Sequence, residues 1–151
     1  MWLVLDCNVL VDASGQGIPE YAGASYNLLQ ALARRQDFVL AIDSKGKIKR
    51  EYDNRINVTM YAHHWLSLLL PDRIKHVKPV QLPKGAGVAL REAHLHRRDF
   101  PLVEAAWGSG KVIVTRDFSS FSDSVNTILR RRLGVRVLSG VQVLKEITGV
   151  D

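Results

Sequence analysis

Short apolar runs rich in β-branched residues alternate with stretches of helical periodicity along this chain. That alternation restricts the fold more than any other feature of the sequence. Trp2–Leu5 and Phe38–Ile42 read as strands, and Lys111–Thr115 is the clearest of all. Val135–Leu138 reads as the last strand, while 74–82 is ambiguous between a strand and an extended linker. Between these lie helical stretches. Ala22–Arg35 carries Leu28, Leu29, Leu32 and Ala33 at helical spacing. Ile48, Tyr52 and Ile56 recur every four residues, and 58–70 is amphipathic and closed by Pro71. Helices are also expected over 87–96, 100–107, 121–133 and 141–147, with Gly108 to Gly110 and Gly134 as stops. Strands that alternate with helices imply right-handed crossovers. The expected fold is therefore α/β, a three-layer α/β/α arrangement around a central, mostly parallel sheet. The pattern does not give the strand order.

With 151 residues, no internal repeat and no obvious linker, one domain over 1–151 is expected, long enough to bury its own core. Hydrophobic residues make up 46% of the chain, which argues against global disorder. Cys7 is the only cysteine, so an internal disulfide and a four-cysteine zinc site are excluded. The first residues have no positive segment, and Asp6 interrupts their apolar run, so no signal peptide is expected. No apolar run approaches the length of a membrane span. A cytoplasmic protein without a membrane partner is the resulting expectation. Lys and Arg number 21 against 15 acids, a net charge of +6, and crowd into 45–55, 91–98 and 130–132. Such patches admit nucleic acid as a partner, although a solvated surface would look the same.

In open parallel sheets, ligands bind beyond the carboxyl ends of the strands. Asp6, Asp43 and Asp117 each follow a strand. Acids gathered at one sheet edge repel one another unless some take up protons or a cation sits among them. Carboxylates and water suit the hard ions Mg2+ and Mn2+. Asp6 stands out because a charge in an apolar segment costs burial energy without a partner, although it could also cap the segment after it. Asp99, before Phe100 and Pro101, reads by itself as a helix N-cap. Glu51, between Arg50 and Tyr52, reads by itself as a surface ion-pair residue. The histidines lack zinc spacing, and no nucleophile elbow, phosphate loop or dinucleotide motif is present.

Three blocks of sequence together resemble the PIN-domain nucleases, in a prokaryotic branch. The first is Leu3-Val-Leu-Asp6-Cys-Asn8-Val-Leu-Val. The second runs from Ile42 and Asp43 to Glu51-Tyr52. The third runs from Arg98-Asp99-Phe-Pro to Ala106 and on through Val112-Ile-Val-Thr115-Arg-Asp117-Phe. In order, these blocks cover nearly the whole chain. The resemblance implies an acidic cluster of Asp6, Glu51, Asp99 and Asp117 that holds Mg2+ or Mn2+, supported by Asn8 and Thr115. It implies a metal-dependent ribonuclease acting on single-stranded RNA, with Lys45, Lys47, Lys49 and Arg116 as phosphate contacts. It also leaves room for the toxin half of a toxin–antitoxin pair, for an antitoxin or other protein partner, and for a homodimer. The alternative is a PIN-like module that binds RNA or protein without cutting. A phosphatase on a similar sheet would want an Asp where Asn8 stands.

Overall fold

A computed structural model describes residues 1–150. Its strands are β1 (Trp2–Leu5), β2 (Val39–Ile42), β3 (Ile74–His76), β4 (Val112–Val114) and β5 (Arg136–Leu138). Its α-helices are α1 (Cys7–Ala13), α2 (Pro19–Arg34), α3 (Lys47–Arg55), α4 (Tyr61–Leu69), α5 (Ala86–Glu92), α6 (Phe100–Trp107), α7 (Asp123–Ile128) and α8 (Gly140–Thr148). A short 3-10 turn, Arg97–Asp99, leads into α6, and a π-helical stretch, Leu129–Leu133, extends α7.

All strand pairings are parallel, in the order β3-β2-β1-β4-β5. The expected three-layer α/β/α architecture is what the chain adopts. Helices α1, α2, α4 and α8 pack together as one layer, and α6 lies against β1, β2 and β4 with α3 packed on it. The three central strands, β1, β2 and β4, are buried apolar runs, as parallel strands covered on both faces must be, while the edge strands β3 and β5 carry exposed Lys75, His76 and Arg136. Leu28, Leu29 and Leu32 on α2 are fully buried, and Trp65 on α4 donates its indole N–H to the Leu29 carbonyl at 2.6 Å. Among the described residues, no helix is long and apolar enough to cross a membrane.

The ambiguous segment 74–82 resolves into the three residues of β3 followed by an irregular run. The helix expected at 87–96 ends at Glu92, and His94 takes a left-handed φ of 68° that no helix continues through. The one expected over 121–133 starts at Asp123, because the Ser122 hydroxyl accepts from the Val125 N–H and caps it. Helix α1 is not evident in the apolar run that contains it. All its residues are buried, so no polar face marks its period.

Sheet order sets where a site can form. The chain runs from β1 through β2 to β3 on one side, then crosses back over to β4 and β5 on the other side of β1. The order therefore reverses between β1 and β4, and a crevice opens beyond their carboxyl ends. Val4 pairs with Ile113 and Leu5 with Val114. That register brings Asp6 and Thr115, the next residues on the two strands, side by side.

Candidate functional site

Asp6 leaves β1 in an extended conformation, and its N–H donates to the Val114 carbonyl at 2.9 Å. It occupies the N-cap position of α1, yet its side chain makes no capping hydrogen bond. The carboxylate instead turns toward β4. Its Oδ2 accepts from the Thr115 hydroxyl at 2.8 Å and from Asn8 Nδ2 at 3.1 Å. Thr115 is fully buried, and its oxygen also accepts the Asp117 N–H at 3.0 Å. Asn8 and Thr115 thus fix the position of the Asp6 carboxylate.

Asp99 is buried at the N-terminus of α6 and makes no capping hydrogen bond there. Its Oδ2 accepts from the Ser120 hydroxyl at 2.5 Å. Asp117 is tied down within its own loop: Oδ1 accepts from the Ser119 hydroxyl at 2.6 Å and the Ser120 N–H at 3.1 Å. Glu51 projects from α3 and pairs with Arg55 at 3.3 Å, with both side chains partly exposed. Next to it, Tyr52 is buried and donates to the Leu5 carbonyl at 2.5 Å, which anchors α3 against the end of β1.

These elements bring Asp6, Glu51, Asp99 and Asp117 to one cleft of about 470 Å3. Asn8, Arg55, Arg98 and Arg116 complete its walls. Burial pushes the Asp6 carboxyl up to about 6; the Thr115 hydroxyl works against this, and the charges of Asp99, Glu51 and Asp117 add to it. Partial burial also pushes the Asp117 carboxyl up. Hydrogen bonds from the Ser119 hydroxyl and the Ser120 and Ser119 N–H groups, with the Arg98 charge, outweigh that effect and hold it below the usual carboxylate value. Burial pushes the Cys7 thiol up to about 12, so it offers no thiolate nucleophile at neutral pH.

Asp43, the third strand-end acid, serves a different purpose. Its two oxygens accept from the Lys47 and Ile48 N–H groups at 3.0 and 2.8 Å, so it caps α3 from the preceding turn. Lys45 and Lys49 lie outside the walls of the cleft, and Lys49 pairs with Asp53 at 2.8 Å. Lys47 stands one helical turn before Glu51 and lines an adjoining groove with His96, Arg97 and Arg98. Arg116 is held through Nε by the buried Asp12 at 2.5 Å. Sequence reasoning misses Arg55 and Arg98 as site residues. The signal available is their place beside Glu51 and Asp99 in the same turns.

Among the described residues, no group of three His, Cys, Asp or Glu side chains stands close enough to hold a metal ion unaided. The cleft is a gathering of carboxylates, each bonded to a neighbouring donor, and not a closed coordination sphere. Its donor chemistry still fits a hard cation. Mg2+ keeps several waters and binds through one or two carboxylates, so it does not need a dry protein cage.

No family model matches the chain, and no curated protein matches it. Among solved structures that do match is a crystal structure of VapBC2 from Rickettsia felis bound to a DNA fragment from their promoter. It is 15% identical, with a TM-score of 0.46, over 92% of this chain and 98% of that chain.

Proposed function

We propose that the chain is a metal-dependent endoribonuclease of the PIN-like type. In this reading it hydrolyses phosphodiester bonds of single-stranded RNA, and Asp6, Glu51, Asp99 and Asp117 hold Mg2+ or Mn2+. The observation that carries the reading is Asp6: a carboxylate buried at the sheet's switch point, fixed by Asn8 and Thr115, facing three further acids. An apolar-to-acidic junction of this kind costs folding energy, and a cation among the acids would recover it. A divalent ion bound there lowers the pKa of a coordinated water and neutralises charge on the phosphate oxygens. Asp6 and Asp99, both buried, are the rigid members of the set. Glu51, partly exposed and paired with Arg55, would exchange that partner for the ion. Arg98 and Arg116 on the cleft wall serve to draw a phosphodiester toward the acids. RNA as the substrate, an antitoxin partner and a second copy of the chain enter from the resemblance.

The second reading is a module that binds RNA or protein without cutting. It is favoured by one observation: among the described residues there is no ready three-ligand group. Cleavage of a labelled RNA pool in Mn2+, abolished by chelator, supports the nuclease. Binding without cleavage under the same conditions supports the module.

A further inference from the structure

Beside the acidic cleft lies a second, smaller pocket of about 170 Å3 between α2 and the start of α8. Its walls are mainly apolar and include two aromatic rings, Tyr21 and Phe118, which are 41% and 43% exposed. Val141, at 47%, forms part of the rim. Large apolar side chains left open at the edge of a charged cleft point to an occupant. The volume is below the roughly 300–1,000 Å3 of sites that enclose a drug-sized ligand, and suits one planar ring system.

Arg116 joins the two spaces. It lines both the pocket and the acidic cleft. Its Nε is taken by Asp12, which is 1% exposed and also accepts the Ile18 N–H at 2.9 Å. The guanidinium is thereby held 5.9 Å from the centre of the Tyr21 ring. Gly17 permits this arrangement, since a Cβ there would collide with the Asp12 carboxylate. A cation fixed by a buried carboxylate, with an open aromatic pocket on one side and an acidic cleft on the other, matches the layout of one nucleotide.

We infer that this pocket receives the nucleobase adjoining the phosphodiester held in the acidic cleft, stacked on Tyr21 and Phe118, with Arg116 on the intervening phosphate. The inference rests on the nuclease reading. Stacking on aromatic rings tolerates every base, so the pocket contributes affinity and register more than sequence choice. The Ser25 side chain at the pocket wall offers a polar contact to a base edge.

The test uses the full chain and a set of single-stranded ribo-oligonucleotides with one 2-aminopurine, stepped along the sequence for binding and placed next to the cleavage position for kinetics. Binding is measured in Ca2+, and cleavage in Mn2+. The inference expects 2-aminopurine fluorescence to fall on binding, and the fall to be lost in Tyr21→Ala and in Phe118→Ala. It expects about a tenfold rise in KM for either variant with kcat little changed, the size of one base–aromatic stack. An abasic residue at the same position should raise KM equally for the parent, a comparison that leaves the protein intact. Cleavage indifferent to the abasic residue and to both variants overturns the pocket and leaves the nuclease standing. A fluorescence change lost in the variants, without cleavage of any RNA, supports the pocket and overturns the nuclease. No binding and no cleavage overturn both.

Discussion

The hydroxyl of Thr115 donates to Asp6 Oδ2 at 2.8 Å, joining residues 109 apart in sequence at the ends of two adjacent strands. The same oxygen accepts the Asp117 N–H at 3.0 Å. One buried hydroxyl therefore positions one member of the acidic cluster and the backbone of another. Thr115→Val keeps the shape, leaves the Asp117 N–H without its acceptor and leaves Asp6 Oδ2 with Asn8 as its remaining donor. We expect a loss of about 1–3 kcal/mol in urea unfolding at neutral pH and a drop in RNA cleavage. Thr115→Ser, which keeps the hydroxyl, should retain most of the activity. Equal losses in both variants would show that packing, not the hydrogen bond, matters there.

Asp6 gives a pH prediction. Its carboxyl is pushed up to about 6 in the fold, from 3.8. The folded state then binds this proton more tightly than the unfolded state does, so stability falls as pH rises from about 4 to about 6 and stays lower above. At about 1.4 kcal/mol for each tenfold change, the cost at neutral pH is on the order of 3 kcal/mol. An Asn at this position can accept from Thr115 and Asn8 through its oxygen and carries no charge. In chelator, Asp6→Asn should be more stable than the parent at pH 7.5 and no more stable at pH 4. Urea midpoints at the two pH values decide it, and equal midpoints at both would remove the electrostatic account of this residue.

Asp12 pairs with Arg116 from a fully buried position. Removing Asp12 takes the shared acceptor from Arg116, which is partly exposed, and from the Ile18 N–H, a cost of about 1–3 kcal/mol. Asp12→Ala should lower the melting temperature. Gly17→Ala should lower it too, because the added methyl displaces the same carboxylate. An unchanged melting temperature in Gly17→Ala would contradict the contact.

The lysines of α3 should differ from one another. Lys47 lines the groove next to the acidic cleft, whereas Lys49 is committed to an exposed pair with Asp53. The slope of log affinity for RNA against log salt should flatten by about one in Lys47→Ala. It should change less in Lys49→Ala. The opposite ranking would move the RNA path away from Arg97 and Arg98.

Much of this arrangement is legible in the sequence. Asp6 advertises itself as a charge in an apolar run, and the β4 strand points to Asp117 just beyond it. The strand-end rule also nominates Asp43, and there it misleads. Whether an acid faces a cleft or caps the next helix depends on how the chain turns over 43–47, and Gly46 at a φ of 73° turns it back onto Asp43. Asp99 is the reverse case. It looks like an N-cap in sequence, but its oxygen accepts from Ser120, 21 residues away. Spacing does not encode such a bond, because the folding of the α7 approach brings the two together. The pocket under Tyr21 and Phe118 is equally hidden, since its walls come from α2, the β4 loop and α8.

Cleavage of an end-labelled single-stranded RNA, by the parent and by Asp6→Asn, in Mn2+ and in chelator, tests the central claim most directly. The account predicts cleavage by the parent in Mn2+, none in chelator, and a loss of orders of magnitude in the folded Asp6→Asn protein. Full activity in a well-folded Asp6→Asn protein, or parent cleavage that survives chelation, would contradict it.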